Sequence, residues 1–366
     1  MDLIEFSSLL IHSLILLLTF YLLAQVCDNH FVPALEKIGK KFNMSTDVTG
    51  ATLMAVGSSA PELFIAIIAI IKPSDAEGGH IDIGIGTIVG SALFNILVII
   101  GAVAVVKKTV LSWQPIIRDM IFYSLSIIVL VVSITNGFVN FWEALVCVLL
   151  YAVYIYAVFK WKIWFPYKDR GVYSDEEKVH EKKTHYKRVG YIIKPIDFLL
   201  DMLFPKKANQ NTIFLISILI IAGLCWLMVD SAIMVSEILH IPEFIIAITV
   251  LAVGTSVPDL VSSVIVAKQG KGGMAISNAF GSNIFDILIG LGFPWLLLQI
   301  FSNREIEILN DNMIISVILL FATVLIVFFV LYFRKWKIRP RTGYILLSIY
   351  LLYIIWQIVN HYVWHL

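Results

Sequence analysis

Glu62, Asp259 and Asp286 each stand in a short run of hydroxyl and small residues inside a long apolar stretch. The runs come in pairs. LMAVGSSAPEL at 53–63 is matched by VLAVGTSVPDL at 250–260, and GSALFNIL at 90–97 by GSNIFDIL at 281–288. On a helix Ser58, Ser59 and Glu62 share a face, because residues three and four apart are neighbours, and Thr255, Ser256 and Asp259 repeat the spacing. Ser91 with Asn95, and Ser282 with Asp286, are four apart in the same way. Pro61 has no N–H to give the carbonyl of Gly57, and Pro258 none for Gly254, so each first phrase frees a carbonyl. At membrane depth a freed carbonyl persists only where protein, water or a bound cation satisfies it. The four phrases contain no cysteine or histidine. Hydroxyl, amide, carbonyl and carboxylate oxygens suit Na+, K+ and Ca2+ rather than zinc or copper. Each carboxylate costs about 2.5–3.5 kcal/mol at the bilayer centre on insertion scales, which cations or protons must offset. Small-residue packing could account for a single glycine or serine, but it does not account for three acids.

The surrounding composition is that of an all-α polytopic membrane protein. The mean hydropathy is +0.89, and 59% of residues are hydrophobic against 14% charged. That balance excludes an ordinary soluble domain. Three cysteines beside apolar segments suggest neither a disulfide framework nor a zinc site. Apolar windows of about 20 residues predict ten transmembrane helices, at 8–30, 46–72, 82–106, 115–135, 138–160, 212–239, 242–268, 273–300, 312–333 and 343–364. The first reads as a retained span rather than a cleaved signal peptide. The loops after spans 1, 3, 5, 7 and 9 hold 3, 3, 12, 2 and 5 of the 27 lysines and arginines, leaving only Lys72 and Arg304 for the opposite side. Odd-numbered loops are therefore expected to be cytoplasmic and both termini extracellular. Five spans separate the copies of each phrase, and five is odd, so the chain divides into two inverted five-helix repeats, 1–160 and 212–366. The basic-rich segment 161–211 reads as a cytoplasmic linker whose part from Val189 to Phe204 forms an interfacial helix. Asp28, Asp119, Glu143 and Asp230 lie towards span ends and read as interfacial or structural.

The phrases resemble the alpha-repeats of the cation/Ca2+ antiporter superfamily, and within it the potassium-dependent sodium/calcium exchangers. VCDNHFVPALEKI, DVTGATLMAVGSSAPELF, GTIVGSALFNIL, AVGTSVPDL and SNAFGSNIFDILIGLGFPW carry the likeness over most of both halves. The resemblance implies ion sites at mid-membrane between helices 2, 3, 7 and 8. It implies central Ca2+ ligation by Glu62 and Asp259, completed with the sodium sites by Ser58, Ser59, Thr255, Ser256 and backbone carbonyls near Ala55 and Ala252. Ser91, Asn95, Ser282 and Asp286 would flank them. Asp286 stands where that family has the aspartate linked to K+, with Ser262 as a second candidate. The linker is shorter than in typical animal members, the usual leader before span 1 is missing, and Gly273 stands where an aspartate is common.

The expected activity is secondary antiport, not enzymatic catalysis. Na+ entry would drive Ca2+ out, with K+ carried alongside Ca2+, by alternating access in which helices 1 and 6 move. Ca2+, Na+ and K+ are then the partners, with the lipid bilayer of the cell membrane as solvent and no nucleic acid or bound cofactor. K+-independent Na+/Ca2+ exchange or Ca2+/H+ exchange are the alternatives. The G-x-G-D context of an intramembrane aspartyl protease is absent. Inverted repeats broken by proline favour alternating access over a passive channel.

Overall fold

The computed structural model describes residues 3–31, 33–34, 37, 46–72, 80–135, 137–167, 202–204, 209–302, 306–307 and 311–364. Helices stand at every one of the apolar windows. They are α1 (Leu3–Val26), α2 (46–71), α3 (Ile81–Val106), α4 (Trp113–Thr135), α5 (Phe141–Trp164), α6 (Gln210–Leu239), α7 (Glu243–Lys268), α8 (Gly272–Phe301), α9 (Asp311–Phe333) and α10 (Pro340–Trp364). Among the described residues eight helices are long and apolar enough to cross a membrane, nine when the two segments of bent α2 count as one. Helix α10 is not one of them, although it runs for 25 residues. The expected interfacial helix and the outer loop at 73–79 lie outside the described residues, apart from 202–204.

Burial sorts the helices into an inner and an outer set. In α3, 83% of the most apolar window is buried, whereas in α1 the share is 22% and in α6 33%. Helices α1 and α6 pack on one another, and α2, α3, α7 and α8 form the centre. Two short strand pairs give an independent view of sidedness. Thr109–Val110 pairs antiparallel with Lys337–Ile338, and Phe138–Val139 with Ile306–Glu307. The first pair joins the loops after α3 and α9, and the second joins those after α4 and α8. Odd loops therefore meet odd loops and even meet even, as the basic-residue pattern requires.

The two halves repeat at the level of single backbone groups. π-Helical turns occupy Gly50–Met54 and Ala247–Leu251, 197 residues apart like the phrases they precede. In these turns Ala55 N–H donates to Gly50 O, and Ala252 N–H to Ala247 O. Such a turn disturbs the regular ladder, so it needs supplementary partners. Thr52 Oγ1 donates to Val48 O at 2.6 Å, and its counterpart Thr249 Oγ1 to Ile245 O at 2.6 Å. A second pair of π-turns, Asn95–Ile99 and Asp286–Leu291, begins at the amide and the acid of the second phrases. The backbone of α2 departs from the symmetry. Helix α2 bends by 47° at Ser59, two residues before Pro61, whereas Pro258 lies inside the unbroken helix Ala252–Lys268. The two prolines therefore differ in the bend that accompanies them, while neither has an N–H to give the carbonyl four residues back.

The glycines that open the second phrases allow the helices to touch. A Cβ on Gly90 would fall 2.5 Å from Ile248 O, and one on Gly281 would fall 2.8 Å from Ala51 O. Ala51 and Ile248 are again 197 residues apart, so the same contact is made twice. In both cases the obstacle includes backbone, which cannot rotate away. Gly90→Ala and Gly281→Ala are each expected to cost about 1–3 kcal/mol by overpacking. The melting temperature in detergent should fall for both variants.

Four acids set aside as interfacial or structural fare differently. Glu143 completes a capping box: Asn140 Oδ1 accepts from Glu143 N–H at 3.1 Å, and Glu143 Oε2 accepts from Asn140 N–H at 3.1 Å. Asp230 pairs with Lys72, whose ammonium also lies 5.1 Å from the Trp226 ring. Asp119 is not interfacial. It is wholly buried, accepting from Arg118 Nε at 2.8 Å and from the Tyr154 hydroxyl at 3.1 Å. Arg118, counted above with the third loop, is thus part of the helix interior. Two charges that neutralise one another locally can be buried without an external counter-ion. The side chain of Asp28 lies outside the described set.

Candidate cation site

The phrases meet where α2, α3, α7 and α8 cross, and the contacts run between halves. Ser58 of α2 lies 3.4 Å, oxygen to oxygen, from Ser282 of α8. Ser91 of α3 donates to Asp286 Oδ2 of α8 at 3.4 Å. Thr255 of α7 faces Glu62 of α2, and Ser58 and Ser282 both face Asp259. Ser59 and Ser91 face Asp286. Glu62, Asp259 and Asp286 are no more than 2% exposed.

Electrostatically the site is an excess of negative charge held away from water. Glu62 and Asp259 act on each other, and both act on Asp286. The other groups that act most strongly on the three acids are hydroxyls, the amide of Asn278 and, for Glu62, its own backbone N–H. Among the described residues Glu62 Oε2, Asn95 Oδ1, Ser256 Oγ, Asn278 Oδ1 and Asp286 Oδ1 are buried with no hydrogen-bond partner. Buried polar atoms are ordinarily paired, and an acceptor left without a donor is costly. A set of orphaned oxygens with no matching surplus of N–H groups is chemically a receptor for cations.

The three acids do not converge on one point. Among the described residues no group of three His, Cys, Asp or Glu side chains is placed to hold a single metal ion. One cation there would be held by mixed donors, carboxylates together with hydroxyl and carbonyl oxygens. The sequence-predicted residues are nonetheless gathered into one buried layer. Ser58 donates to Met54 O at 2.8 Å, which directs its hydroxyl proton along its own helix and leaves its lone pairs for the site. Ala55 O accepts from Ser59 N–H at 3.0 Å, and Ala252 O accepts from Thr255 Oγ1 at 3.4 Å, so neither carbonyl is without a partner. Ser262, the second candidate for K+, is turned away: its hydroxyl donates to the Asp259 carbonyl at 3.1 Å.

Three residues at the site escaped the sequence reading. Asn283 Nδ2 donates to Ala92 O at 3.1 Å, while its Oδ1 accepts from Asn95 Nδ2 at 2.9 Å. Because a carbonyl can only accept, Ala92 fixes the orientation of the Asn283 amide, and Asn283 then fixes that of Asn95. Asn95 is left presenting its oxygen. Asn283→Ala is expected to raise the cation concentration for half-maximal flux about tenfold, since an unfixed amide can turn its NH2 into the site. Asn278 touches Asp259, and the signal for it was its spacing of four and eight residues before Ser282 and Asp286. Cys225 of α6, given no role from sequence, donates to Pro61 O at 3.6 Å.

Comparison with known proteins agrees with this architecture. The family model described as sodium/calcium exchanger protein matches residues 12–160 and again 211–359, one copy for each half. Human sodium/potassium/calcium exchanger 4 is 29% identical over 515 residues, covering 97% of this chain and 82% of the relative. Human sodium/potassium/calcium exchanger 5 is 30% identical over 417 residues, covering 94% and 82%. Chicken (Gallus gallus) sodium/potassium/calcium exchanger 2 is 26% identical over 507 residues, covering 95% and 77%. Among solved structures, the sodium-calcium exchanger NCX_Mj soaked with 2.5 mM Na+ and 0.1 mM Sr2+ superposes with a TM-score of 0.60 at 24% identity, over 95% of this chain and 99% of that one. That likeness concerns the fold. With both halves matched and the phrases assembled into one buried oxygen-rich site, the chain belongs to the sodium/calcium exchanger protein family.

Proposed function

We propose that this protein is a secondary antiporter that exchanges Na+ for Ca2+, with K+ carried alongside Ca2+. The observation that carries the proposal is the cluster of buried, donor-less oxygens around Glu62, Asp259 and Asp286. Ca2+ binds between the Glu62 and Asp259 carboxylates, with Ser58, Ser59, Thr255, Ser256 and the carbonyls of Ala55 and Ala252 completing the calcium and sodium sites. Ser91, Asn95, Ser282 and Asp286 flank them, and Asp286 carries the K+ dependence. Because Na+ and Ca2+ need overlapping oxygens, the site holds one load or the other. The names of the relatives, three of which couple sodium, potassium and calcium, support this ion set.

Ten spans, both termini outside, a cytoplasmic linker at 161–211 and residence in the cell membrane complete the proposal. The distribution of basic residues supports the orientation. Helices α1 and α6 are the moving pair, a role that suits their shallow packing on the four central helices. Any net charge moved per cycle makes transport voltage-sensitive by about 2.3 kcal/mol per charge per 100 mV.

Ca2+ flux into proteoliposomes loaded with Na+, measured with and without K+ beside the Ca2+, tests the reading. Uptake is expected only with an outward Na+ gradient, and K+ is expected to stimulate it. Uptake that ignores the Na+ gradient would overturn Na+/Ca2+ exchange. Na+-driven uptake without K+ stimulation would instead select the K+-independent reading.

A further inference from the structure

The pseudo-symmetry that relates the halves also fails where α7 meets α8. In the second half Asp259 is followed one turn later by Ser263, and α8 brings Asn278 against both. Asn278 Nδ2 lies 3.4 Å from Asp259 Oδ1 and 3.4 Å from Ser263 Oγ. Asn278 and Ser263 are wholly buried, and Asn278 Oδ1 has no partner among the described residues. The offsets of 197 and 191 residues make Ala66 and Thr87 their counterparts in the first half. Ala66 offers a methyl group, and a Cβ on Gly84 would lie 3.2 Å from its Cα, so the two helices close there. The Thr87 hydroxyl is taken up by Ile83 O at 2.7 Å. Beyond Glu62 the corresponding positions therefore offer a methyl group and a hydroxyl bonded within its own helix, whereas beyond Asp259 they offer an amide oxygen without a partner among the described residues.

Depth gives this asymmetry a direction. At 1.5 Å rise per residue, Ser263 lies about 7–8 Å from the Lys268 end of α7, and Asn278 about 9 Å from the Gly272 end of α8. Asp259 lies deeper, about 13–14 Å from the same end. In the orientation proposed above that end faces the cytoplasm. An amide oxygen without a donor is a hard, neutral ligand that can replace one hydration water of Na+ or Ca2+ before the ion reaches a carboxylate.

We propose that Asn278, assisted by Ser263, is a cation-binding step on the cytoplasmic side of Asp259 that has no counterpart on the external side. The proposal rests on the exchange reading, and its consequence is sided. Replacing both residues by their first-half counterparts, Asn278→Thr with Ser263→Ala, is expected to raise the half-saturating Ca2+ and Na+ concentrations about fivefold to tenfold at the cytoplasmic face. At the external face the shift is expected to be several-fold smaller, reflecting only the contact of Asn278 with Asp259. Inside-out and right-side-out membrane vesicles, titrated with each ion separately, measure the two faces. No shift at either face, or an equal shift at both, would overturn the proposal, because a purely structural link between α7 and α8 has no sidedness. Asn278→Ser, which keeps an oxygen in a smaller side chain, provides the same test should the double variant fail to reach the membrane. Absence of Na+-driven Ca2+ flux in the unmodified protein would overturn exchange itself and is read from separate vesicles.

Discussion

Glu62→Gln and Asp259→Asn are each expected to abolish Ca2+ exchange in protein that still folds. Both substitutions keep the shape of the side chain and remove its charge. The two carboxylates act on each other across the interface between halves, with no described lysine or arginine among the groups that act most strongly on them. Their repulsion is a standing cost that a divalent ion removes. Deleting one partner of a buried, charge-paired arrangement costs about 3–5 kcal/mol. That corresponds to a loss of about two to four orders of magnitude in affinity. The folded state loses a repulsion rather than a salt bridge, so stability without Ca2+ is expected to hold or rise. Ca2+ titration of thermal stability and vesicle flux check both halves of the statement. A Glu62→Gln protein that still melts later with added Ca2+ at wild-type concentrations would remove Glu62 from the binding site.

Asp286→Asn is expected to abolish stimulation by K+ while leaving some Ca2+ exchange. Asp286 lies beside Glu62 and Asp259 but begins the π-turn of α8, at the margin of the pair. Its Oδ2 accepts from Ser91, and its Oδ1 has no partner among the described residues. Its counterpart in the other half is Asn95, a neutral residue. The second half therefore carries one charge more than symmetry demands, and a monovalent cation is the smallest addition that neutralises it. With asparagine there, the two halves match and the additional cation has no charge to offset. Flux measured across a range of K+ concentrations should become flat. Retained K+ stimulation in Asp286→Asn would place the K+ dependence elsewhere.

Much of this was legible in the sequence because membrane burial makes polar residues conspicuous. An acid in a soluble protein is unremarkable, but Glu62, Asp259 and Asp286 stand alone in apolar stretches and announce themselves. The repeated phrases located the four central helices, and the odd number of intervening spans oriented them. Neutral residues carried no such contrast. The spacing of Asn278 puts it on the face of Ser282 and Asp286, but spacing does not distinguish amide oxygens that are taken from those left free. The π-turns were also unreadable, although Thr52 and Thr249 marked them at matching positions. For Asp119 the sequence left interfacial and structural roles open, and the buried pairing with Arg118 and Tyr154 decides for the structural one.

By itself the sequence determined the class of protein, its two-fold plan and the type of atom offered to the ion. Those follow from hydropathy, charge and residue chemistry, which are properties of single residues and their spacing. The tertiary structure decided which oxygens remain without donors, because that depends on what faces them across a helix interface. Ala92 O fixes Asn283, Asn283 fixes Asn95, and an oxygen is left over. It also decided that the halves are unequal: α2 bends at Ser59 where α7 does not, and Asn278 meets Asp259 and Ser263 only because α8 packs against α7.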